Sequence, residues 1–142
     1  MQNCVIFIVD DDLFSLHHYQ QGLLDLGFTK VKIFESGSHC VDNLHIKPLV
    51  VFLDHCMQNL NGFEVLKKIK CFDPQIYVVI ISANEDPKTS VDSRKHGAFD
   101  YIHKNGLELL KMNDALKRIK SIQEVLMQNT SVTNSNHSLL TK

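Results

Sequence analysis

The residues that can do chemistry stand where apolar runs stop. Residues 4–9 (CVIFIV) are followed by Asp10-Asp11-Asp12, and residues 49–53 (LVVFL) by Asp54. Residues 76–81 (IYVVII) lead to Ser82-Ala83, and residues 98–102 (AFDYI) to His103-Lys104. Brought together, these groups offer several carboxylates, a hydroxyl and an ammonium. Clustered carboxylates raise one another's pKa unless a cation intervenes. A hard-oxygen donor set of this kind suits Mg2+, which takes one or two carboxylates and keeps positions for water and a phosphate oxygen. The arrangement is fit to receive a phosphoryl group. A cation offsets the charge, Lys104 and the hydroxyl hold phosphoryl oxygens, and one Asp acts as covalent acceptor. A lone Asp after a strand is usually a helix N-cap, the role expected of Asp12. Capping alone does not account for acids, a hydroxyl and a lysine at four separate run ends.

The elements that position these groups follow from periodicity. The runs at 4–9, 49–53 and 76–81 are continuous and rich in β-branched residues, as in strands buried on both faces of a parallel sheet. Residues 31–34 (VKIF) alternate, and residues 98–102 form the last run. Helical spacing fills the gaps. Leu13, Leu16, Tyr19 and Leu23 make one stripe closed by Gly27, and Phe63, Leu66 and Ile69 follow Gly62. Residues 86–96 form a polar helix closed by Gly97, a C-cap residue. Met112, Leu116, Ile119 and Leu126 mark a long last helix. Residues 36–44 (SGSHCVDNL) carry the weakest helical pattern. The expected fold is α/β: a (βα)5, doubly wound, five-stranded parallel sheet with right-handed crossovers. In such sheets the working site lies beyond the carboxyl ends of the strands.

Composition narrows the function classes. The chain of 142 residues suits one domain, with 44% hydrophobic and 22% charged residues. Lys+Arg total 15 and Asp+Glu 16, a formal charge of −1, so no global charge draws the chain to nucleic acid. No apolar run approaches the ~20 residues that span a bilayer. The start, Met1-Gln2-Asn3-Cys4, lacks the marks of a signal peptide. Four widely spaced cysteines without a CxxC pair fit a reduced, cytoplasmic chain. Eight histidines show no spacing that fits a transition metal. Lys111, Lys117, Arg118 and Lys120 are expected to form a solvated face of the last helix. The domain is expected to span residues 1–126, and residues 127–142, polar and without periodicity, to form a flexible tail.

With these residues in place, the sequence resembles the receiver domain of two-component response regulators, a flavodoxin-like architecture, over residues 1 to about 125. The matching stretches are IFIVDDD (6–12), LVVFLDHCMQNLNGFEVLKKIK (49–70), VVIISA (78–83) and GAFDYIHK (97–104). The Asp-x-x-Met-x-x-x-x-Gly frame at Asp54, Met57 and Gly62 is specific to that family, and the spacings from Asp54 to Ser82 and Lys104 also match. The resemblance implies that Asp54 is the phosphoacceptor. It implies Asp11 as a direct Mg2+ ligand beside Asp54, Asp10 acting through a metal-bound water, and Cys56 offering its backbone carbonyl. It assigns Ser82, Lys104 and the backbone of Ala83 to the phosphoryl group, and Tyr101 to the switch aromatic. The implied phosphate donor is a histidine kinase or a His-containing phosphotransfer protein. Output would go to a downstream protein partner, or through a homodimer of the fourth helix–fifth strand–fifth helix face.

The resemblance departs at two positions. The family usually has Lys-Pro, often with a cis bond, where this chain has Lys104-Asn105. A non-proline cis bond costs about 3 kcal/mol, so a trans bond and an altered loop are expected. Gln58 replaces the usual Pro of Met-Pro-x-x-x-Gly. About sixteen residues follow the receiver unit, below the ~40 of an unaided domain, so a stand-alone switch is expected. Two other readings compete. A haloacid-dehalogenase-like phosphohydrolase would use Asp10 and Asp12, but it leaves Asp54 without a role. A receiver-like binding module that never accepts phosphate would not need the full Asp/Asp/Ser/Lys set.

Overall fold

The computed structural model describes residues 2–55 and 61–140, with side chains through residue 129. Five strands and five helices alternate: β1 (Val5–Val9), α1 (Leu13–Asp25), β2 (Lys30–Phe34), α2 (Gly37–Asp42), β3 (Val50–Asp54), α3 (Gly62–Phe72), β4 (Tyr77–Ser82), α4 (Pro87–Lys95), β5 (Asp100–His103) and α5 (Glu108–Leu140). A short 3-10 turn at Leu44–Ile46 follows α2. The strands pair in parallel in the order β2-β1-β3-β4-β5. The chain steps outward from β1 to β2, then crosses to the other side of β1 for β3. That reversal opens a crevice at the carboxyl ends of β1 and β3.

The continuous apolar runs are explained by burial on two faces. All five residues of β3 are buried. Ile8 and Phe52 meet α1 and α5 through Leu16, Leu23, Met112 and Leu116. Phe7, Val9 and Leu53, pointing the other way, pack with Cys40 of α2 and Val65 and Leu66 of α3. Each fully buried aliphatic or aromatic side chain contributes about 1.5–3 kcal/mol, so this two-sided core anchors the strand ends on which the site is built.

Local chemistry sets the helix ends. Asp12 caps α1, accepting from the Phe14 N–H at 3.2 Å and from the Ser15 hydroxyl at 2.8 Å. The Ser15 hydroxyl bond comes first among the causes that hold the Asp12 carboxyl below its usual range. Gly27 and Gly97 follow α1 and α4 with φ of +100° and +103°, a region that favours glycine. Asn61 caps α3 and Asp86 caps α4, with Pro87 in the first turn.

The structure departs from the sequence reading in two places. Residues 127–140 continue α5 rather than forming an irregular tail. No Gly or Pro occurs between Leu107 and Lys142, so nothing local stops the helix. Among the described side chains of α5, Ile119 is the last that is fully buried. Arg118 is not part of a merely solvated face: it pairs with Asp100, which also binds Arg94 at 3.2 Å, and lies 5.2 Å over the Phe99 ring. The weak pattern at 36–44 resolves into the short α2 and the 3-10 turn. Among the described residues, no peptide bond is cis and no helix is long and apolar enough to cross a membrane.

Candidate functional site

Parallel pairing places the chemical residues side by side. Val9 is in register with Leu53, so Asp10 leaves β1 beside Asp54, the last residue of β3. Asp54 is in register with Ile81, and Ser82 with His103. The ends of β1, β3, β4 and β5 therefore present Asp10, Asp54, Ser82 and Lys104 to one crevice.

Three carboxylates converge there. Ligand oxygens of Asp10, Asp11 and Asp54 lie within 4.8 Å of one another, the one such cluster among the described residues. Asp10 and Asp54 are buried, whereas Asp11 faces solvent. Lys104 supplies one positive charge from β5, its Nζ 3.3 Å from Asp10 Oδ2 and 3.4 Å from Asp54 Oδ1. Burial works against the Lys104 ammonium, but the charges of Asp54 and Asp10 outweigh it and hold its pKa above the usual range. One ammonium against three carboxylates leaves the crevice negative. The donor set, all carboxylate oxygens with one member open to water, fits a hard divalent cation such as Mg2+.

Asp10 carries the electrostatic load. Desolvation first, and then the Asp54 charge, push its carboxyl up to about 6, although the Asp12 N–H at 2.9 Å and Lys104 favour the ionised form. The folded protein thus holds this proton more tightly than the unfolded chain. Asp10 therefore costs stability as pH rises from about 4 to about 6. Without divalent metal, the wild type should lose melting temperature across this window relative to Asp10→Asn. Parallel thermal melts at pH 4.5 and 7 measure the difference. Equal pH dependence in the two proteins would remove Asp10 from the account.

Ser82 is fully buried at the end of β4, and its Oγ accepts the Asn84 N–H at 3.0 Å. Its hydroxyl hydrogen is the group it can offer a ligand. The Ser82 carbonyl accepts the Lys104 N–H at 2.8 Å, toward β5. The C=O and N–H of one peptide point in opposite directions, so the Ala83 N–H is directed to the β3 side, where Asp54 ends. Tyr101 donates its hydroxyl to the Asn84 carbonyl at 2.7 Å and packs at the edge of the core on the α3 side.

At the Lys104-Asn105 departure, the bond is trans. Asn105 accepts the Leu107 N–H at 3.2 Å, and Glu108 accepts the Gly106 N–H at 2.8 Å. A side-chain turn thus stands where the family has proline. Asp12, claimed by the start of α1, is not a member of the carboxylate cluster, which removes the dehalogenase-like pairing of Asp10 with Asp12. Cys56, Met57 and Gln58 lie outside the described residues.

Sequence reasoning missed three features. His55 follows Asp54 and packs against Phe63 at a tilt, centroids 4.5 Å apart, and Phe63 in turn stacks on His96 at 5.5 Å. Its Nδ1 is buried without a hydrogen-bond partner among the described residues, and burial pushes the ring pKa down. Gly62 backs directly onto the Asp54–His55 backbone, for which the family frame ending at Gly62 was the available signal. His103 contacts Ala83 and Glu85. No local pattern announces that contact.

Residues 6–120 match the family model of the response regulator receiver domain. The chain is 35% identical over 105 residues to the DNA-binding transcriptional regulator NtrC of Klebsiella pneumoniae, covering 73% of this chain and 22% of that protein. It thus spans less than a quarter of the length of this relative. It is 34% identical over 100 residues to the chemotaxis protein CheY of Listeria monocytogenes, covering 70% and 84%. Among solved structures, it is similar to a chain of the CheX–CheY–BeF3–Mg2+ complex from Borrelia burgdorferi, with TM-score 0.75, 26% identity and coverage of 82% and 88%. It is also similar to the BeF3-activated DrrB receiver domain, with TM-score 0.67, 28% identity and coverage of 81% and 98%. A parallel sheet with acids, hydroxyl and lysine at its strand ends, matched over 6–120 by the family model, makes this chain a member of the response regulator receiver family.

Proposed function

We propose that this receiver domain works as a phosphorylatable switch with Asp54 as its acceptor. The observation that carries the reading is the Lys104 ammonium held between Asp10 and Asp54, with Asp11 completing a carboxylate cluster. In the proposed step, an Asp54 carboxylate oxygen attacks the phosphorus of a phosphohistidine. The new P–O bond forms as the P–N bond breaks, and the electron pair returns to the donor imidazole. Lys104, the Ser82 hydroxyl and the Ala83 N–H receive phosphoryl oxygens, which spreads the transferred charge over fixed donors. Asp11 and Asp54 would hold Mg2+ directly, Asp10 through a water, and Cys56 by its carbonyl. With Mg2+ bound, the negative charge of the carboxylates and of the incoming phosphoryl oxygens is offset.

The donor in this reading is a histidine kinase or a His-containing phosphotransfer protein, in the cytoplasm. The domain itself acts as acceptor rather than as an enzyme on a separate substrate. Phosphorylation adds about two negative charges to the crevice. Drawing Ser82 toward them changes what Tyr101 meets and shifts the balance between two packings of the α4–β5–α5 face. The Arg94–Asp100–Arg118 network lies on that face and offers a downstream partner, or a second copy, paired charges to exchange. We assign residues 1–126 to the receiver unit.

The direct test is intact mass after incubation with acetyl phosphate. One phosphoryl-sized adduct is expected with Mg2+ and almost none when the metal is chelated. Labelling that ignores Mg2+ overturns the metal-assisted Asp54 step, and no labelling in its presence overturns the reading in favour of a binding module that never accepts phosphate.

A further inference from the structure

The segment after Ser82 has no core of its own. Residues 83–88 are all exposed, so polar contacts rather than burial hold them: local ones through the Asn84 and Asp86 side chains, and others at the end of β5. Three successive carbonyls are held in this way. Ser82 O takes the Lys104 N–H at 2.8 Å, Ala83 O meets His103 Nε2 at 3.3 Å, and Asn84 O takes the Tyr101 hydroxyl at 2.7 Å. In a regular parallel strand successive carbonyls point to opposite sides. Three in a row toward β5 mean that the chain turns after Ser82, and only side chains can hold the second and third.

We infer that His103 is a positioning residue of the phosphoryl site, fixing the Ala83 N–H that faces Asp54. The inference rests on the Asp54 reading above. Its core is the pair of peptide planes that flank Ala83. The Lys104 N–H holds the plane that carries the Ala83 N–H, and His103 holds the next plane, so rotation about the Ala83 Cα that would turn the N–H away must break one of the two bonds. The donor is then aimed before the phosphoryl arrives, and no reorganisation is needed when charge develops. Tyr101 and His103 are two residues apart on one face of β5, so the strand holds the segment at two points. Glu85 Oε1, 3.4 Å from the same Nε2, adds a second acceptor. A carbonyl and a carboxylate can only accept, so His103 Nε2 must carry a hydrogen whatever the charge on the ring.

Two measurements test this. Long-range 1H–15N correlation on the wild type should find His103 with Nε2 protonated; a ring protonated on Nδ1 alone overturns the inference without any variant. Beryllofluoride with Mg2+ is then titrated into wild type, His103→Phe and His103→Gln, following the Ala83 amide. The Phe ring keeps the bulk but has no donor, and should weaken binding of the mimic about fivefold, as expected for one ordinary hydrogen bond. The Gln amide N–H can reach the same carbonyl and should recover most of that loss. Equal binding by wild type and His103→Phe, or no recovery with Gln, overturns the positioning role. Wild type that fails to bind the mimic, or Asp54→Asn that binds it equally well, defeats the Asp54 reading and this inference with it. That outcome differs from the others because it appears with His103 intact.

Discussion

Asp54→Asn should abolish the acetyl phosphate adduct and still melt as a cooperatively folded protein. The amide matches the carboxylate in size, so the buried end of β3 keeps its packing. Its lone pairs are delocalised and carry no charge, and the nucleophile is lost. Lys104 keeps a partner, because Asp10 Oδ2 lies 3.3 Å from its Nζ. The variant also removes one of three converging negative charges, so its melting temperature without metal should not fall below that of the wild type. Intact mass and thermal melts on the same preparation read both effects. Full labelling of the variant would place the acceptor at Asp10 or Asp11 instead. Asp10 is the harder to attack, being 2% exposed and already bonded to the Asp12 N–H and Lys104.

The fold was legible because β1, β3 and β4 are buried on both faces and so read as continuous apolar runs. The limit lies at their ends. Asp54, Ser82 and His103 prove to be the last residues of their strands rather than the first beyond them. Backbone pairing extends past the apolar signal, and side-chain type does not report it. Asp10, Asp54, Ser82 and Lys104 were nevertheless identifiable from position alone, because parallel topology gathers the carboxyl ends. The Asp12 cap was readable for a different reason: its bonds are to Phe14 and Ser15, within one helical turn. What escaped depends on non-local geometry. The His103 contact with Ala83 joins residues twenty apart, and the His55–Phe63–His96 stack joins three elements. The Arg118–Asp100 pair is of the same kind, a charge claimed by a neighbouring strand that helix periodicity cannot reveal. The helix at 127–140 carries no apolar stripe, so apolar periodicity does not report it.

Gly62→Ala should damage the site from behind. The Gly62 N–H donates to the His55 carbonyl at 3.0 Å, which closes the loop between β3 and α3. A Cβ at Gly62 would stand 2.7 Å from His55 Cα, 3.1 Å from His55 Nδ1 and 3.2 Å from the Asp54 carbonyl. The nearest of these atoms is backbone, so no rotamer change relieves the clash. His55 cannot simply retreat, because its N–H is tied to the Ile81 carbonyl at 3.1 Å. Either α3 backs away and loses the Gly62–His55 bond, or the end of β3 moves and takes Asp54 with it. Overpacking of this kind costs about 1–3 kcal/mol. A displacement of Asp54 by ~1 Å should slow labelling at least tenfold, since misplacement on that scale costs up to about 100-fold. Gly22→Ala is the control. There the new methyl meets the ends of the Leu109 side chain, which can rotate, and α1 gains the better helix former. It should label at the wild-type rate whatever it does to the melting temperature. Phosphorylation time courses by intact mass, beside melts of both variants, separate the cases. If Gly62→Ala labelled as fast as wild type, the segment behind Asp54 would yield without moving the carboxylate, and the tight approach of α3 would serve packing alone.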